Sequence, residues 1–313
     1  VQWARAIHRA DPTVQLGGPA FQGVNADIAV WRDSHGDASW LHRFVTYLRK
    51  HDAMSEFSFM SFEHYPFHNC DAGWALQRDL LREPAMIRDI MTTWRNDGLP
   101  PGLPLMITEA NFSSDGTSAP QRIAGALWTA DYLASALTSG AAYAMYYQIE
   151  TEPLGKSRCG LYGAYNPYIV DDDYHVHGYG AAYYALRMLT TQWLLPGDDP
   201  VDIYGVRNSL GDAEPAVTAY AAKRSDATWS VLIVNKDVVA RDVDIEFAGP
   251  LGLSRLNQAD VAVFGPAQYA WDGNPKHAPS PDSGIVIEHR QLAGGRVTVG
   301  PHSLMVVRGA LQP

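Results

Sequence analysis

The chain has 313 residues, enough for one large domain or for a barrel-sized domain followed by a smaller one. Its net charge of −10 and its pI near 5.5 argue against nucleic acid and anionic membranes as partners, because both attract basic surfaces. No apolar run reaches the roughly 18 residues that span a bilayer, so we expect no membrane segment. The 16 Tyr and 9 Trp are suited either to stacking on sugar rings or to core packing.

The N-terminal residues predict an amphipathic helix over residues 1–10, with no Met and no signal-peptide core before it. We therefore expect the chain to begin inside a domain. The two cysteines, Cys70 and Cys159, are too few for a disulfide scaffold, and their spacing matches no metal motif. They either form a disulfide bond with each other or remain as two buried or free thiols.

Apolar strand-like runs alternate with helical patterns up to about residue 192, which predicts parallel β/α units. The predicted strands cover residues 14–16, 57–62, 103–108 and 142–148, and the predicted helices cover 1–10, 40–51, 74–96, 120–138 and 178–193. Pro84 predicts a kink or break in the third of these helices. This region supplies at most four β/α units.

Short alternating strands separated by turn residues follow the segment Leu-Pro-Gly at 195–197. They cover residues 216–222, 229–235, 241–247, 285–289, 296–299 and 304–307. This pattern predicts an antiparallel β-sandwich, with the segment 265–284 as its least structured part. We therefore predict two domains, 1–195 and 196–313, packed against each other.

The predicted strand over residues 103–108 leads directly into Glu109 and Asn111. A carboxylate in this place lies at the C-terminal rim of a parallel sheet, where the active sites of barrel enzymes lie. The alternative is a solvated Glu just after a strand. Two further strands also end in polar and aromatic residues, which favours a shared site built from several strand ends.

Those two further strands supply the other candidate residues of the site. The strand over 57–62 is followed by Glu63, His64 and Tyr65, and the strand over 142–148 carries Tyr147 and is followed by Glu150. We predict that these five residues bind substrate together with Asn111. For His64 and Glu150 an ordinary solvated or satisfied side chain is the alternative, and for Tyr65 the alternative is an aromatic side chain that packs on Pro66.

The segments 14–20 (VQLGGPA), 61–66 (SFEHYP) and 107–109 (ITE), in this order, resemble strands five, six and seven of clan A glycoside hydrolases. The resemblance is closest to the β-xylosidase and α-L-iduronidase-like branch. The segments 232–235 (LIVN) and 299–304 (VGPHSL) resemble the β-sandwich that follows the barrel in those enzymes. Two departures concern the site: Glu63 stands where the family often has His, and Tyr146 and Tyr147 stand near the place of a Trp.

The resemblance implies an α/β fold, the C-terminal half of a (β/α)8 TIM barrel followed by an all-β sandwich. It also implies a retaining hydrolase of a β-linked glycoside or polysaccharide, with Glu109 as nucleophile and Tyr65 hydrogen-bonded to it. In the family the acid/base is a Glu that follows an Asn at the end of strand four. Since no Asn-Glu pair occurs in this sequence, we expect that residue upstream of Val1.

The resemblance further implies a carbohydrate substrate, no cofactor and secretion or another location outside the cytoplasm. A missing upstream segment or a second chain is expected to complete the barrel. Two alternatives are a carbohydrate-binding protein without activity and a structural sandwich beside an unrelated α/β unit, in which Glu63, Tyr65 and Glu109 would be dispersed. For the acidic run 171–173 with His175, we favour a solvated turn over a metal site.

Overall fold

The computed structural model describes most of the chain, and Cys70 and Cys159 lie outside the described part. The described residues are 1–18, 20, 39–67, 74–114, 117–150, 152–153, 155–157, 160–162, 165–197, 200–209, 215–250, 252–274 and 276–311. No helix within these ranges is long and apolar enough to cross a bilayer.

A parallel sheet forms the first part of the described structure. Its strands, in spatial order, are β1 (Met60–His64), β2 (Leu105–Ala110) and β3 (Tyr143–Ala144). Each strand overlaps its predicted position, but β1 and β2 continue two residues further than predicted, and β3 has two residues instead of seven. The carboxyl ends of β1 and β2 therefore include residues that the sequence pattern had placed after the strands.

The predicted strand over residues 14–16 does not form. Only a single parallel bridge joins Gly17 to Phe59, and the amide of Ser58 donates to the carbonyl of Leu16 at 2.7 Å. The ring of Phe59 lies where a Cβ on Gly17 would be, so the two segments can approach this closely only because residue 17 is a glycine. The segment thus lies beside β1 with too few hydrogen bonds for a strand.

The helices lie at or close to their predicted positions. They are α1 (Gln2–Ala10), α2 (Trp40–Lys50), α3 (Trp74–Asn96), α4 (Ile123–Thr138) and α5 (Ala181–Met188). Short 3-10 turns cover Met54–Glu56 and Ala119–Gln121, and the π-helical turn Leu189–Trp193 extends α5. Helix α3 is continuous through Pro84, so the predicted break does not occur.

Helix α4 is buried on almost all sides. Eleven of its 16 residues are buried, including Trp128, Asp131 and Tyr132. The helix contacts α3 and α5 on one side and strands of the antiparallel sheet on the other. A helix that is apolar all round is typical of such a central position, and α4 therefore connects the two parts of the molecule.

The other described elements are β-strands, apart from the 3-10 turn Ala293–Gly295. Two hairpins follow β3: β4 (Gly155–Ser157) with β5 (Gly160–Tyr162), and β6 (Tyr168–Val170) with β7 (Val176–Tyr179). After α5 come β8 (Val201–Gly205), β9 (Val217–Arg224), β10 (Thr228–Asn235), β11 (Arg241–Asp244), β12 (Phe247–Gly249), β13 (Gly252–Ser254), β14 (Gln258–Phe264), β15 (Val286–Gln291), β16 (Arg296–Val299) and β17 (Ser303–Ala310). Strands β4 to β8, β13 and β14 are additions to the predicted set, and the predicted strand over 241–247 is replaced by β11 and β12.

Among the described residues, six of these strands form one antiparallel sheet in the order β15-β14-β17-β10-β9-β8. Both faces of this sheet are buried along its central strands, whereas the edge strands β8 and β15 are largely exposed. On β10, Leu232 and Val234 join the apolar cluster of the helices, whereas Val231 and Ile233 join a second cluster with residues of β11 and β16 such as Val299. This two-sided burial explains a continuous run of apolar residues where a strand with one wet face would alternate.

The change from helical to antiparallel structure falls where the sequence predicted it. The π-helical turn ends at Trp193, and β8 begins at Val201. However, one apolar cluster extends from the helices into the antiparallel sheet. The division into domains 1–195 and 196–313 therefore stays a prediction.

A buried charged cluster joins α4 to the antiparallel sheet. The carboxylate of Asp131 accepts hydrogen bonds from the hydroxyls of Thr218 and Tyr220, at 2.5 and 2.7 Å, and from the ammonium of Lys236 at 2.5 Å. Asp131 and Lys236 are both 0% exposed. Burial of two charges is tolerated only when they are paired and hydrogen-bonded, as they are in this cluster.

We predict that Asp131→Ala lowers the free energy of unfolding by about 3–5 kcal/mol, because Lys236 is left as an unpaired buried charge. Urea denaturation of the purified protein measures this loss. The control is Asp244→Ala, which removes the exposed partner of Arg296 and should change stability little. Equal losses in the two variants would contradict the importance that we assign to the buried cluster.

Helix α1 is held by polar contacts, since none of its residues is buried and Trp3 is 83% exposed. The two ring nitrogens of His8 face the carboxylate of Glu56 and, at 2.9 Å, the carbonyl of Val14. Both partners are acceptors, so the doubly protonated ring satisfies both. These hydrogen bonds raise the pKa of His8 above its ordinary value, the one to Val14 contributing most.

We predict that α1 is held less tightly as the pH rises. A pKa that is raised in the folded state stabilises the fold below the unfolded pKa, and this stabilisation is lost as the pH passes the folded value above 6.5. Hydrogen exchange of the α1 amides, corrected for intrinsic rates, should show less protection at pH 8.5 than at pH 6. In His8→Gln the difference should disappear, and its persistence would contradict the assignment.

Candidate active site

The end of β1 divides its side chains between two faces. Phe62 packs edge-on against Trp94 of α3, and His64 lies against Tyr132 of α4. Because neighbouring residues of a strand point to opposite faces, Glu63 and Tyr65 project away from the helices. We call this opposite side the inner face. The candidate site therefore begins with a carboxyl and a phenol on the inner face.

An irregularity between β1 and β2 brings Glu109 to the same face. Ile107 pairs with Phe62 and is fully buried, but the next pair is Glu109 with Glu63, so Thr108 is an extra residue in β2. In a regular strand Glu109 would share the face of Ile107. An extra residue reverses the alternation, as β-bulges do near active sites, and it turns the Glu109 carboxyl to the inner face.

Tyr65 donates a hydrogen bond to the Glu109 carboxylate, and the oxygens lie 2.9 Å apart. Burial is the main cause of the raised pKa of Tyr65, and the hydrogen bond to Glu109 adds to it. The phenol therefore stays protonated and acts as a donor that holds one carboxylate oxygen. The hydrogen bond expected from the family resemblance is present.

Glu63 is the second carboxyl of the site, directly opposite Glu109 in the register of the two strands. Its pKa is raised, first by burial and second by the negative charge of Glu109. Both side chains remain partly exposed, so a ligand can reach them. The inner face thus presents two interacting carboxyls side by side.

Tyr147 forms the next part of the site, after β3. Its amide donates to the carbonyl of Ala110 at 2.8 Å, and its ring meets that of Tyr65 edge-on at 6.2 Å. The other side of Tyr147 meets the ring of Tyr165. Glu150 is exposed at the end of the same segment. The structure thus places Tyr147 against the site and leaves Glu150 in contact with solvent.

His64 does not lie in the site, contrary to the prediction. It is 1% exposed, and its Nε2 lies 2.7 Å from the Glu83 carboxylate of α3, which is itself fully buried. The alternation along β1 explains this position, because the neighbours of Glu63 must face the helices. His64 therefore attaches β1 to the helix layer and has no access to a ligand.

Asn111 is also buried, beneath the site. Its amide group donates to the carbonyls of Tyr147 and Tyr165, and its side-chain oxygen accepts from the amide of Phe112 at 2.6 Å. A fully buried side chain with these partners cannot contact a substrate. We correct the predicted role: Asn111 positions the segment that carries Tyr147.

Two residues that support the site were missed by the sequence analysis. Glu83 lies on the apolar face of α3, because Leu80, Ile87 and Ile90 at helical spacing are buried. A charged residue at such a position is the sequence signal that indicates a buried polar partner. Tyr165 receives hydrogen bonds at its carbonyl from Asn111 and from the hydroxyl of Tyr146. It lies in an irregular segment that offers no sequence signal.

The acidic run after β6 forms an exposed turn. One carboxylate oxygen of Asp171 accepts from the amides of Asp173 and His175, each at 2.9 Å. These hydrogen bonds lower the pKa of Asp171, the one from His175 most strongly. The ligand atoms of the three residues lie within 4.8 Å of one another, and all three side chains are exposed. Local backbone capping accounts for the arrangement of this turn.

We predict that His64→Leu destabilises the protein by about 3 kcal/mol, because the buried Glu83 loses its partner. The control is Glu63→Gln, one residue earlier on β1, which should cost far less because Glu63 is partly exposed. Thermal and urea unfolding measure both variants. A stable His64→Leu protein with weakened ligand binding would restore the original assignment.

No protein-family model and no curated protein matches this sequence. Solved structures are similar in fold. A 4-O-α-L-rhamnosyl-β-D-glucuronidase from Fusarium oxysporum 12S has a TM-score of 0.62 at 15% identity, and the match covers 98% of this chain and 62% of that one. A bifunctional glucanase-xylanase from a metagenome library gives 0.59 at 17%, covering 99% and 58%.

A family 51 α-L-arabinofuranosidase from Bifidobacterium longum gives a TM-score of 0.61 at 12% identity, covering 99% of this chain and 62% of that one. The chain thus spans about 60% of the length of these structures. At such low identity the likeness concerns the fold. The chain has an α/β fold that it shares with glycoside hydrolases.

Proposed function

We propose that the protein is a retaining glycoside hydrolase in which Glu109 is the nucleophile. The observation that supports this most is the Glu109 carboxylate at the carboxyl end of a parallel strand, held by the Tyr65 hydroxyl at 2.9 Å and opposite a second carboxyl, Glu63. The shared fold with glycoside hydrolases supports the same function. The finer placement in the β-xylosidase and α-L-iduronidase-like branch rests on the sequence motifs.

In this proposal each residue of the inner face has a defined task. A carboxylate oxygen of Glu109 attacks the anomeric carbon while the bond to the leaving oxygen breaks and an acid protonates that oxygen. Water then cleaves the glycosyl ester and returns Glu109 as a carboxylate. Tyr65 holds the other oxygen of Glu109, while Glu63 and Tyr147 border the sugar.

The proposed architecture is the C-terminal half of a (β/α)8 barrel with a β-sandwich. Two observations support a missing half. Apolar side chains are exposed near the parallel sheet, Tyr143 on β3 and Met145 just after it, and on α1, Trp3 and Ile7. The similar structures are also longer than this chain. An upstream segment or a second chain would cover these surfaces, as unpaired strand edges require.

We predict that Glu109→Ala abolishes turnover of aryl β-glycosides by the complete protein while the fold stays intact. A slow-reacting fluoroglycoside should label Glu109 covalently, and peptide mass spectrometry locates the label. Added azide should restore activity to the variant, because it replaces the missing nucleophile. A label on Glu63 or Glu150 would contradict the assignment.

We predict that the 313-residue chain alone does not hydrolyse aryl β-glycosides, because its proton donor lies on the missing half. Addition of the upstream segment should produce activity with a bell-shaped pH profile. Bell-shaped hydrolysis by the chain alone would show that both catalytic carboxyls are already present, with Glu63 the first candidate for the second.

A carbohydrate-binding protein without activity is the second candidate. Its support is the same inner face with its aromatic rings, Tyr65 and Tyr147, and the Glu109→Ala experiment separates it from an enzyme. The third alternative, with dispersed residues, is wrong because Tyr65 and Glu109 are in contact and Glu63 is paired with Glu109. Secretion remains part of the proposal, on the family resemblance.

A further inference from the structure

The inner face carries acidic and phenolic groups side by side. Glu63 and Glu109 are register partners, Tyr65 is hydrogen-bonded to Glu109, and the ring of Tyr147 meets that of Tyr65. The described groups that act on the pKa values of Glu63 and Tyr65 are these same acids and phenols. The nearest basic side chain along β1, that of His64, faces the helices and is bonded to Glu83.

We propose that Glu63 makes the site selective for sugars that present an uncharged donor, such as a hydroxyl, beside Glu109, and that it excludes uronic-acid sugars. This inference rests on the proposed function. It goes further because it names the class of sugar and the residue that selects it. In an enzyme with a His at this position, the same place would offer a donor and a possible positive charge.

The argument for selection is electrostatic. A Glu side chain has an oxygen that can accept a hydrogen bond whether the group is ionised or protonated, so a sugar hydroxyl finds a partner in both states. A sugar carboxylate in the same place would be a third acidic group beside Glu63 and Glu109. Like charges in a partly buried site repel strongly, and no basic group is among the described groups that shift the pKa of Glu63 or Tyr65.

The charge of Glu63 itself supports this view. Burial and the neighbouring Glu109 both raise its pKa, which means that the site already disfavours a second negative charge. A third carboxylate meets the same two obstacles, the loss of water and the charge of Glu109, and also the charge of Glu63 itself. The exclusion therefore follows from the position of Glu63 on the strand and does not depend on a particular contact to the sugar ring.

Non-hydrolysed probes test the inference in the complete protein. Phenyl β-D-thioglucoside and phenyl β-D-thioglucuronide differ only where a hydroxymethyl group is replaced by a carboxylate. We expect calorimetry to show tighter binding of the thioglucoside, and we expect Glu63→Gln to reduce this preference at least about tenfold. The control is Glu288→Gln, which removes an exposed charge on β15 and should leave the preference unchanged.

The outcomes separate this inference from the proposed function. Equal or tighter binding of the thioglucuronide by the unaltered protein would overturn the inference, as would an unchanged preference in Glu63→Gln or the absence of binding by both probes. Failure to hydrolyse the corresponding oxygen glycosides, together with the expected binding preference, would overturn the proposed hydrolase instead. Circular dichroism of the Glu63→Gln protein confirms that the variant is folded.

Discussion

The candidate site depends on the alternation of side chains along two neighbouring parallel strands. On β1 the alternation sends His64 to the helices and Glu63 and Tyr65 to the inner face. On β2 the extra residue Thr108 changes the phase, so Glu109 arrives beside them. Without the extra residue in β2, the Glu109 carboxyl would share the face of Ile107 and point toward the helices. Chemistry at this edge thus depends on a local feature of backbone pairing.

The strands are in turn held by layers that are buried on both sides. Helix α4 lies between the parallel sheet and the six-stranded antiparallel sheet, and its Asp131 forms a buried ion pair with Lys236. The apolar residues around this pair contribute buried surface. The pair fixes the position of the helix on the sheet, because a misplaced Asp131 would leave two buried charges without partners. The ends of β1 and β2 therefore rest on a helix layer that cannot easily shift along the antiparallel sheet.

Much of this arrangement can be predicted from the sequence where local patterns suffice. The apolar run before Glu109 indicates the strand, although β2 continues through Glu109 to Ala110, and apolar spacing locates the helices. The predicted substrate contact of His64 is wrong, and the sequence alone could have shown this. Glu63, His64 and Tyr65 are consecutive, so they cannot all face one side of a strand. Asn111 could not be predicted, because its partners, Tyr147 and Tyr165, lie on a distant irregular segment.

The Asp131 cluster also affects how such proteins can be recombined. Thr218, Tyr220 and Lys236 come from the antiparallel sheet, but their common acceptor belongs to α4. A sheet taken from another protein of this fold that lacks these donors would leave the carboxylate without partners, and the reverse exchange would leave the ammonium without one. Chimaeras that join the two parts at the turn near Trp193 would therefore need the whole cluster from a single parent. The helical part and the antiparallel sheet must therefore be exchanged together, because both depend on the buried Asp131.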